Sequence, residues 1–168
     1  MIFLTVSVLA LSFPGCGKKE NTSDRTLRVG IVTYTQDDPF INTMTEQIRE
    51  DLKLKESKDM KILVSVKNGD NDQRDQDELV EEMIAAGCDV LCVNLVDRTA
   101  PSDIIKAARQ EKIPVIFFNR EPVKEDLMQW DQLYYVGCDA KQSGEMQGEI
   151  AADYLKAPPG ADKNQDGK

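Results

Sequence analysis

The stretch Arg28-Val-Gly-Ile-Val-Thr-Tyr-Thr-Gln-Asp-Asp-Pro-Phe-Ile-Asn-Thr-Met44 decides the fold. It opens as an apolar run rich in β-branched residues, breaks at Gln36-Asp37-Asp38-Pro39, and resumes with apolar residues at helical spacing. That order reads as strand, loop and helix start. The run Val29 to Val32 does not alternate, as expected of a strand covered on both faces in a parallel sheet. Pro39 suits the first helical turn, where its missing N–H costs nothing. Asp37 and Asp38 therefore fall at the carboxyl end of a strand, the place where open α/β sheets bind ligands.

Working outward, the same unit repeats. Phe40 to Lys55 sets Phe40, Ile41, Met44, Ile48 and Leu52 near one helical face. Lys61 to Val66 reads as a second strand, followed by the loop Asn68 to Asp72 and a helix to Ala86 that carries Leu79, Val80, Met83 and Ile84. Gly87 is a suitable C-cap. Asp89 to Val96 reads as a third strand and Ser102 to Gln110 as a helix with Ile104, Ile105 and Ala108 inward. Pro114 to Phe118 and Leu133 to Val136 read as the fourth and fifth strands, and Ser143 to Lys156 as the last helix, with Met146, Ile150, Tyr154 and Leu155 supplying its apolar contacts. Strands alternating with helices predict one α/β domain with a doubly wound parallel sheet of about five strands.

Composition removes several functions. The chain has 168 residues, no histidine and a formal charge of −9. The acidic balance argues against nucleic acid as a partner. Without histidine there is no Ser-His-Asp or Cys-His catalysis. No glycine-rich phosphate loop follows the first strand. Of the four cysteines, Cys16 belongs to the amino-terminal segment, and Cys88, Cys92 and Cys138 are expected as buried free thiols; a Cys88–Cys92 metal or redox pair is the alternative, at a spacing that does not match Cys-x-x-Cys. Gly144 and Gly148 show a small-x-x-x-small spacing that means close packing inside a helix.

The two ends carry signals of their own. Met1 to Phe13 is apolar apart from Thr5, Ser7 and Ser12, too short to span a membrane and suited to the core of a secretory signal. It ends in Phe13-Pro14-Gly15-Cys16, which resembles a bacterial lipoprotein cleavage site with Cys16 as the lipidated residue. Phe13 stands where an aliphatic residue is usual, and no Lys or Arg precedes the apolar core. An ordinary cleaved signal or a buried first strand are the alternatives. Residues 17–26 read as a flexible tether and 27–156 as the folded lobe. At the other end, Asp162-x-Asn164-x-Asp166-Gly167-Lys168 is the first half of a calcium loop of the EF-hand kind, with Lys168 offering a backbone carbonyl. The later ligands do not occur in this sequence, so calcium is expected only in a longer chain. A polar tail is the bland reading.

Three strand ends converge on one edge: Asp38 and Phe40 after the first, Asn94 and Asp97 at the third, Asn119 and Glu121 after the fourth. A carboxylate, a carboxamide and an aromatic ring suit a neutral polyol. Equally, Asp38 could cap the helix, Phe40 join the core and Asn119 stabilise a turn. Paired carboxylates for a carbohydrate-active enzyme are the weaker reading, because one open sheet gives no second wall around a substrate.

The segments Val29 to Tyr34 with Asp37 to Phe40, Val93 to Asp97, Val115 to Pro122 and Tyr134 to Asp139 form one set with Ser143-Gly144, Gln147-Gly148 and the calcium half-loop. The set resembles the family of bacterial periplasmic galactose/glucose-binding proteins, the extracytoplasmic receptors of sugar ABC transporters and, in some bacteria, of chemotaxis. The resemblance implies a type I lobe, the first of two joined by a hinge, with a hexose clamped between them and delivered to a membrane permease or a chemoreceptor. It implies that Asp38 bonds a sugar hydroxyl, that Phe40 stacks on one sugar face, and that Asn119 is the first lobe's sugar-binding asparagine. Gly137 to Asp139 match the crossover between lobes, and Asp162, Asn164 and Asp166 match calcium ligands. Asn94 and Asp97 match shared sequence without an implied sugar contact, and Trp130 does not match the family's stacking tryptophan. The resemblance makes this an amino-terminal portion that holds the first lobe and 157–168 as the start of the calcium segment. An inducer-type sugar-sensing domain is the alternative, although such a domain would follow a basic helix-turn-helix rather than an apolar signal.

Overall fold

The computed structural model describes residues 25–156. The expected signal with Cys16, residues 17–24 of the tether and the calcium half-loop of Asp162, Asn164, Asp166 and Lys168 lie outside the described residues.

The apolar run becomes β1 (Arg25–Thr33), and Pro39 opens α1 (Pro39–Leu54). The remaining elements follow in alternation: β2 (Met60–Asn68), α2 (Gln73–Ala85), β3 (Val90–Val93), α3 (Ser102–Glu111), β4 (Val115–Phe118), a single turn α4 (Lys124–Leu127), β5 (Leu133–Val136) and α5 (Ala140–Lys156). The strands form one parallel sheet in the order β2-β1-β3-β4-β5. This is the doubly wound α/β fold expected from the repeat. No helix among the described residues is long and apolar enough to cross a membrane.

The central place of β1 explains its unbroken apolar run, because it has helices on both sides. On one face Ile62, Val29, Ile31 and Phe118 pack with Met44, Ile48 and Leu52 of α1. On the other, Val32, Leu91, Val93 and Phe117 pack with Val80 and Met83 of α2 and Ile104, Ile105 and Ala108 of α3. Gly30 lets this second layer close down tightly: a Cβ there would lie 3.0 Å from Leu91 Cδ2 and 3.1 Å from Cys88 Sγ, and the neighbours would have to give by a few tenths of an ångström. Gly87, at φ +80, ends α2 with the Gly87 N–H on the Ile84 carbonyl and the Cys88 N–H on the Met83 carbonyl. That is a Schellman cap, which needs the left-handed residue glycine supplies without strain.

Four expectations are corrected. β1 begins inside the expected tether, since Arg25 and Thr26 pair with Met60 and Lys61. β3 stops at Val93 rather than Val96: the Asn94 N–H still reaches the Val32 carbonyl, but beyond it the backbone is bonded by side chains, Gln73 and Gln76 of α2 and Arg120, instead of a neighbouring strand. α5 begins at Ala140 rather than Ser143: Asp139 Oδ1 accepts from Lys141 N at 2.9 Å and Gln142 N at 3.0 Å, an N-cap that the sequence Asp139-x-x-Gln142 signals. The apolar residues expected to anchor α5 do not. Met146, Ile150, Tyr154 and Leu155 are all exposed, no residue of α5 is buried, and Gly144 and Gly148 have nothing within contact distance.

The thiols also divide. Cys88 is buried and Cys92 half-buried, with burial pushing Cys92 up to about 11, whereas Cys138 is exposed and not the buried thiol expected.

Candidate functional site

The carboxyl ends of β1, β3 and β4 carry the candidate sugar-binding residues Asp38, Phe40 and Asn119, and the loops there are ordered by side chains. Asp38 is the N-cap of α1, its Oδ1 accepting from Phe40 N at 2.8 Å and Ile41 N at 3.4 Å. Its Oδ2 accepts from the Tyr34 hydroxyl at 2.7 Å. The Tyr34 hydrogen bond, then the two helical N–H groups and the nearby Arg120 charge, hold the Asp38 carboxyl below the usual carboxylate range. The same contact raises the Tyr34 hydroxyl. A carboxylate offers about four acceptor positions, so a half-buried Asp38 with three donors on it keeps room on Oδ2 for one from solvent or ligand.

Phe40 does not join the core. It is 60% exposed while its neighbour Ile41 is 1% exposed, so the first turn of α1 turns one apolar side chain inward and holds the ring out. Asn119 is exposed at φ +62, a conformation asparagine tolerates better than most residues. Its N–H donates to the Val136 carbonyl at 3.0 Å, its carbonyl accepts from the Tyr135 hydroxyl at 3.2 Å, and its Oδ1 accepts from Asn94 Nδ2 at 3.2 Å. Capping and turn formation, the bland readings of Asp38 and Asn119, are thus both present, and neither consumes all of the polar atoms.

Two residues that the sequence did not single out tie these ends together. Arg120 lies 3.7 Å above the Tyr34 ring, a cation–π contact, while its Nη1 donates to the Val96 carbonyl at 2.8 Å and the Leu95 carbonyl at 3.3 Å. One guanidinium therefore connects the ends of β4, β1 and β3. Gln76, 0% exposed, is the other, reaching the Asn94 and Val96 backbone from α2. Gln76 was visible as a polar residue at inward spacing with Val80 and Met83. Asp97 is spent within its own turn, accepting from Thr99 N at 2.8 Å and Thr99 Oγ1 at 2.7 Å, which lowers its carboxyl. Glu121 contributes its backbone carbonyl to Arg98 Nε at 2.6 Å. A groove of about 600 Å³ between the later turns of α1 and β2, lined by Arg49, Lys53, Leu54 and Leu63, holds none of these residues. Among the described residues no acidic or thiol cluster could hold a metal ion.

The fold places the molecule with the doubly wound α/β domains that meet ligands at the carboxyl ends of their strands. A family model described as periplasmic binding protein domain matches residues 29–165, and the chain belongs to that family. It is 37% identical over 141 residues to the D-galactose/methyl-galactoside binding periplasmic protein of Haemophilus influenzae, covering 84% of this chain and 41% of that one. It is 26% identical over 162 residues to the ribose import binding protein of Bacillus subtilis, covering 92% of this chain and 49% of that one. Among solved structures it resembles a solute-binding protein from Chloroflexus aurantiacus in complex with D-glucose, at TM-score 0.63 and 27% identity over 79% of this chain and 36% of the other. A myo-inositol-bound solute-binding protein from Bacillus halodurans is similar at TM-score 0.62 and 28% identity, over 82% of this chain and 44% of that one. The chain spans less than half the length of these relatives. The relatives named are binding proteins, not enzymes.

Proposed function

We propose that this chain is the first lobe of an extracytoplasmic solute receptor that captures a hexose, galactose or glucose, for an ABC transporter. One observation carries the reading. A carboxylate held ionised, with one acceptor position open, stands beside an exposed aromatic ring at the start of the same helix. A sugar offers that pair a hydroxyl to donate and a C–H face to cover. Asn119 at the end of β4 is the third member. The likeness to a galactose-binding protein supports the choice of sugar, although other relatives are named for ribose or hold inositol.

The rest of the receptor belongs to the same proposal. Cys16 would carry a lipid, residues 17–24 would tether the lobe outside the membrane, and a permease, or a chemoreceptor in a sensing role, would receive the loaded protein. Asp162, Asn164, Asp166 and the Lys168 carbonyl are oxygen donors at calcium-loop spacing. They would hold Ca²⁺ together with ligands from a longer chain.

Saturation-transfer NMR on the purified chain tests the sugar. With one face of the ligand left in water, each hydrogen bond nets little, so binding is expected to be weak: transfer to D-galactose or D-glucose that disappears in Asp38→Ala and in Phe40→Ala. Absence of transfer, or transfer indifferent to both substitutions, overturns the reading. Micromolar binding by calorimetry would overturn the expectation that half a clamp binds weakly.

A further inference from the structure

A series of amides joins the ends of β3 and β4, and each one dictates the orientation of the next. Gln76 donates from Nε2 to the Asn94 carbonyl at 3.0 Å and accepts at Oε1 from the Val96 N–H at 3.0 Å. A carbonyl only accepts and a backbone N–H only donates, so this amide has a single orientation. It fixes the backbone about Asn94, whose own N–H donates to the Val32 carbonyl at 2.9 Å. The Asn94 side chain, 0% exposed, puts Nδ2 3.1 Å from the Phe118 carbonyl and 3.2 Å from Asn119 Oδ1. The Phe118 carbonyl cannot donate. Turning the Asn94 amide over would set oxygen against oxygen, so Nδ2 must face it, and the Asn119 atom facing Nδ2 must be the acceptor. Asn119 Nδ2 is left as a donor in solvent, with no acceptor among the described residues.

The arrangement is poor for stability alone. Asn94 Oδ1 is buried with no hydrogen-bond partner, a group whose presence calls for an explanation. We propose that Asn94, held by Gln76, is a positioning residue that locks Asn119 as a hydrogen-bond donor to ligand. The site then presents opposite polarities: Asp38 accepts a hydrogen bond from the ligand and Asn119 donates one to it. Two hydroxyls of one ligand are assigned different roles, a consequence that rests on the hexose reading above.

The orientation itself is tested without ligand, by side-chain amide hydrogen exchange of the ¹⁵N-labelled chain. The Asn94 protons are expected to exchange at least about a hundredfold more slowly than those of Asn119, as for buried against open groups. In Asn94→Asp the carboxylate only accepts, so the Asn119 amide turns over and its protons become protected. Protected Asn119 protons in the unsubstituted chain overturn the proposal, as does an Asn119 amide indifferent to Asn94→Asp. Should that variant not fold, the unsubstituted pattern decides alone. The ligand arm uses a series of monofluorinated galactoses read by saturation transfer. A fluorine facing Asn119 accepts but cannot donate, so Asn94→Asp is expected to weaken that analogue about tenfold more than galactose itself, the worth of one hydrogen bond. An equal loss across the series marks Asn94 as merely structural and overturns the proposal. The expected exchange pattern in a chain that binds no hexose leaves the orientation standing and removes the sugar reading instead.

Discussion

Asp38 is the residue on which most of the site's electrostatics turn. Its folded pKa lies below the unfolded value, so the stability it contributes is complete above the unfolded pKa and is lost as pH falls through the folded one. Tyr34→Phe removes the largest cause of that shift while keeping the ring under Arg120. The Asp38 carboxyl, followed by ¹³C NMR titration, is expected to move up toward the ordinary range near 4. The loss of stability in urea between neutral pH and about pH 2 should shrink with it; an unchanged titration would show that Tyr34 does not hold the carboxylate. Thiols offer a second check at this scale. Cys138 is exposed, whereas Cys88 is buried and Cys92 is pushed up to about 11. A thiolate-selective reagent is expected to label Cys138 in the native chain and the other two only on unfolding. Rapid native labelling of Cys92 would contradict its burial.

At the scale of elements, α3 and α5 both carry apolar residues at helical spacing and differ in what they bury. Ile104 and Ile105 of α3 are 1% and 2% exposed, whereas Ile150 of α5 is 68% exposed. Ile105→Ala should therefore cost about 2–5 kcal/mol and Ile150→Ala within about 0.5 kcal/mol, both read from denaturant midpoints. A large effect at Ile150 would mean that α5 is packed in solution. Helical spacing reveals an apolar face but not whether anything meets it, which is why α3 was read correctly and the contacts of α5 were not. The end of β3 was obscured for a related reason. Asn94-Leu-Val96 has the composition of a strand, and side chains distant in sequence, Gln76 of α2 and Arg120, take up the backbone groups that a neighbouring strand would otherwise bond. Asp38 was legible because cap, proline and helix follow one another locally. The Arg120–Tyr34 contact joins residues far apart in the chain, and no local pattern announces it.

For the molecule as a whole, the repeat of strand and helix was enough to read the doubly wound sheet, and the distribution of burial across that sheet was not. β1 has five successive buried residues, Val29 to Thr33, while in β5 Tyr134 and Val136 are 51% and 64% exposed. Backbone hydrogen exchange is expected to be slowest in β1 and β3 and markedly faster in β5, since opening free energy follows local burial. Uniform protection across all five strands would show that the outer half of the sheet is covered in solution.

The direction of β1 carries one more consequence. The strand enters the sheet at Arg25 and runs nine residues to Thr33, beyond which Tyr34, Asp38 and Phe40 stand. At about 3.3 Å per residue, the point of entry and the rim that carries Asp38 are about 30 Å apart on opposite ends of the sheet. Any group joined to the lobe through Arg25 therefore lies at the far end of the sheet from Tyr34, Asp38 and Phe40, and leaves their rim open.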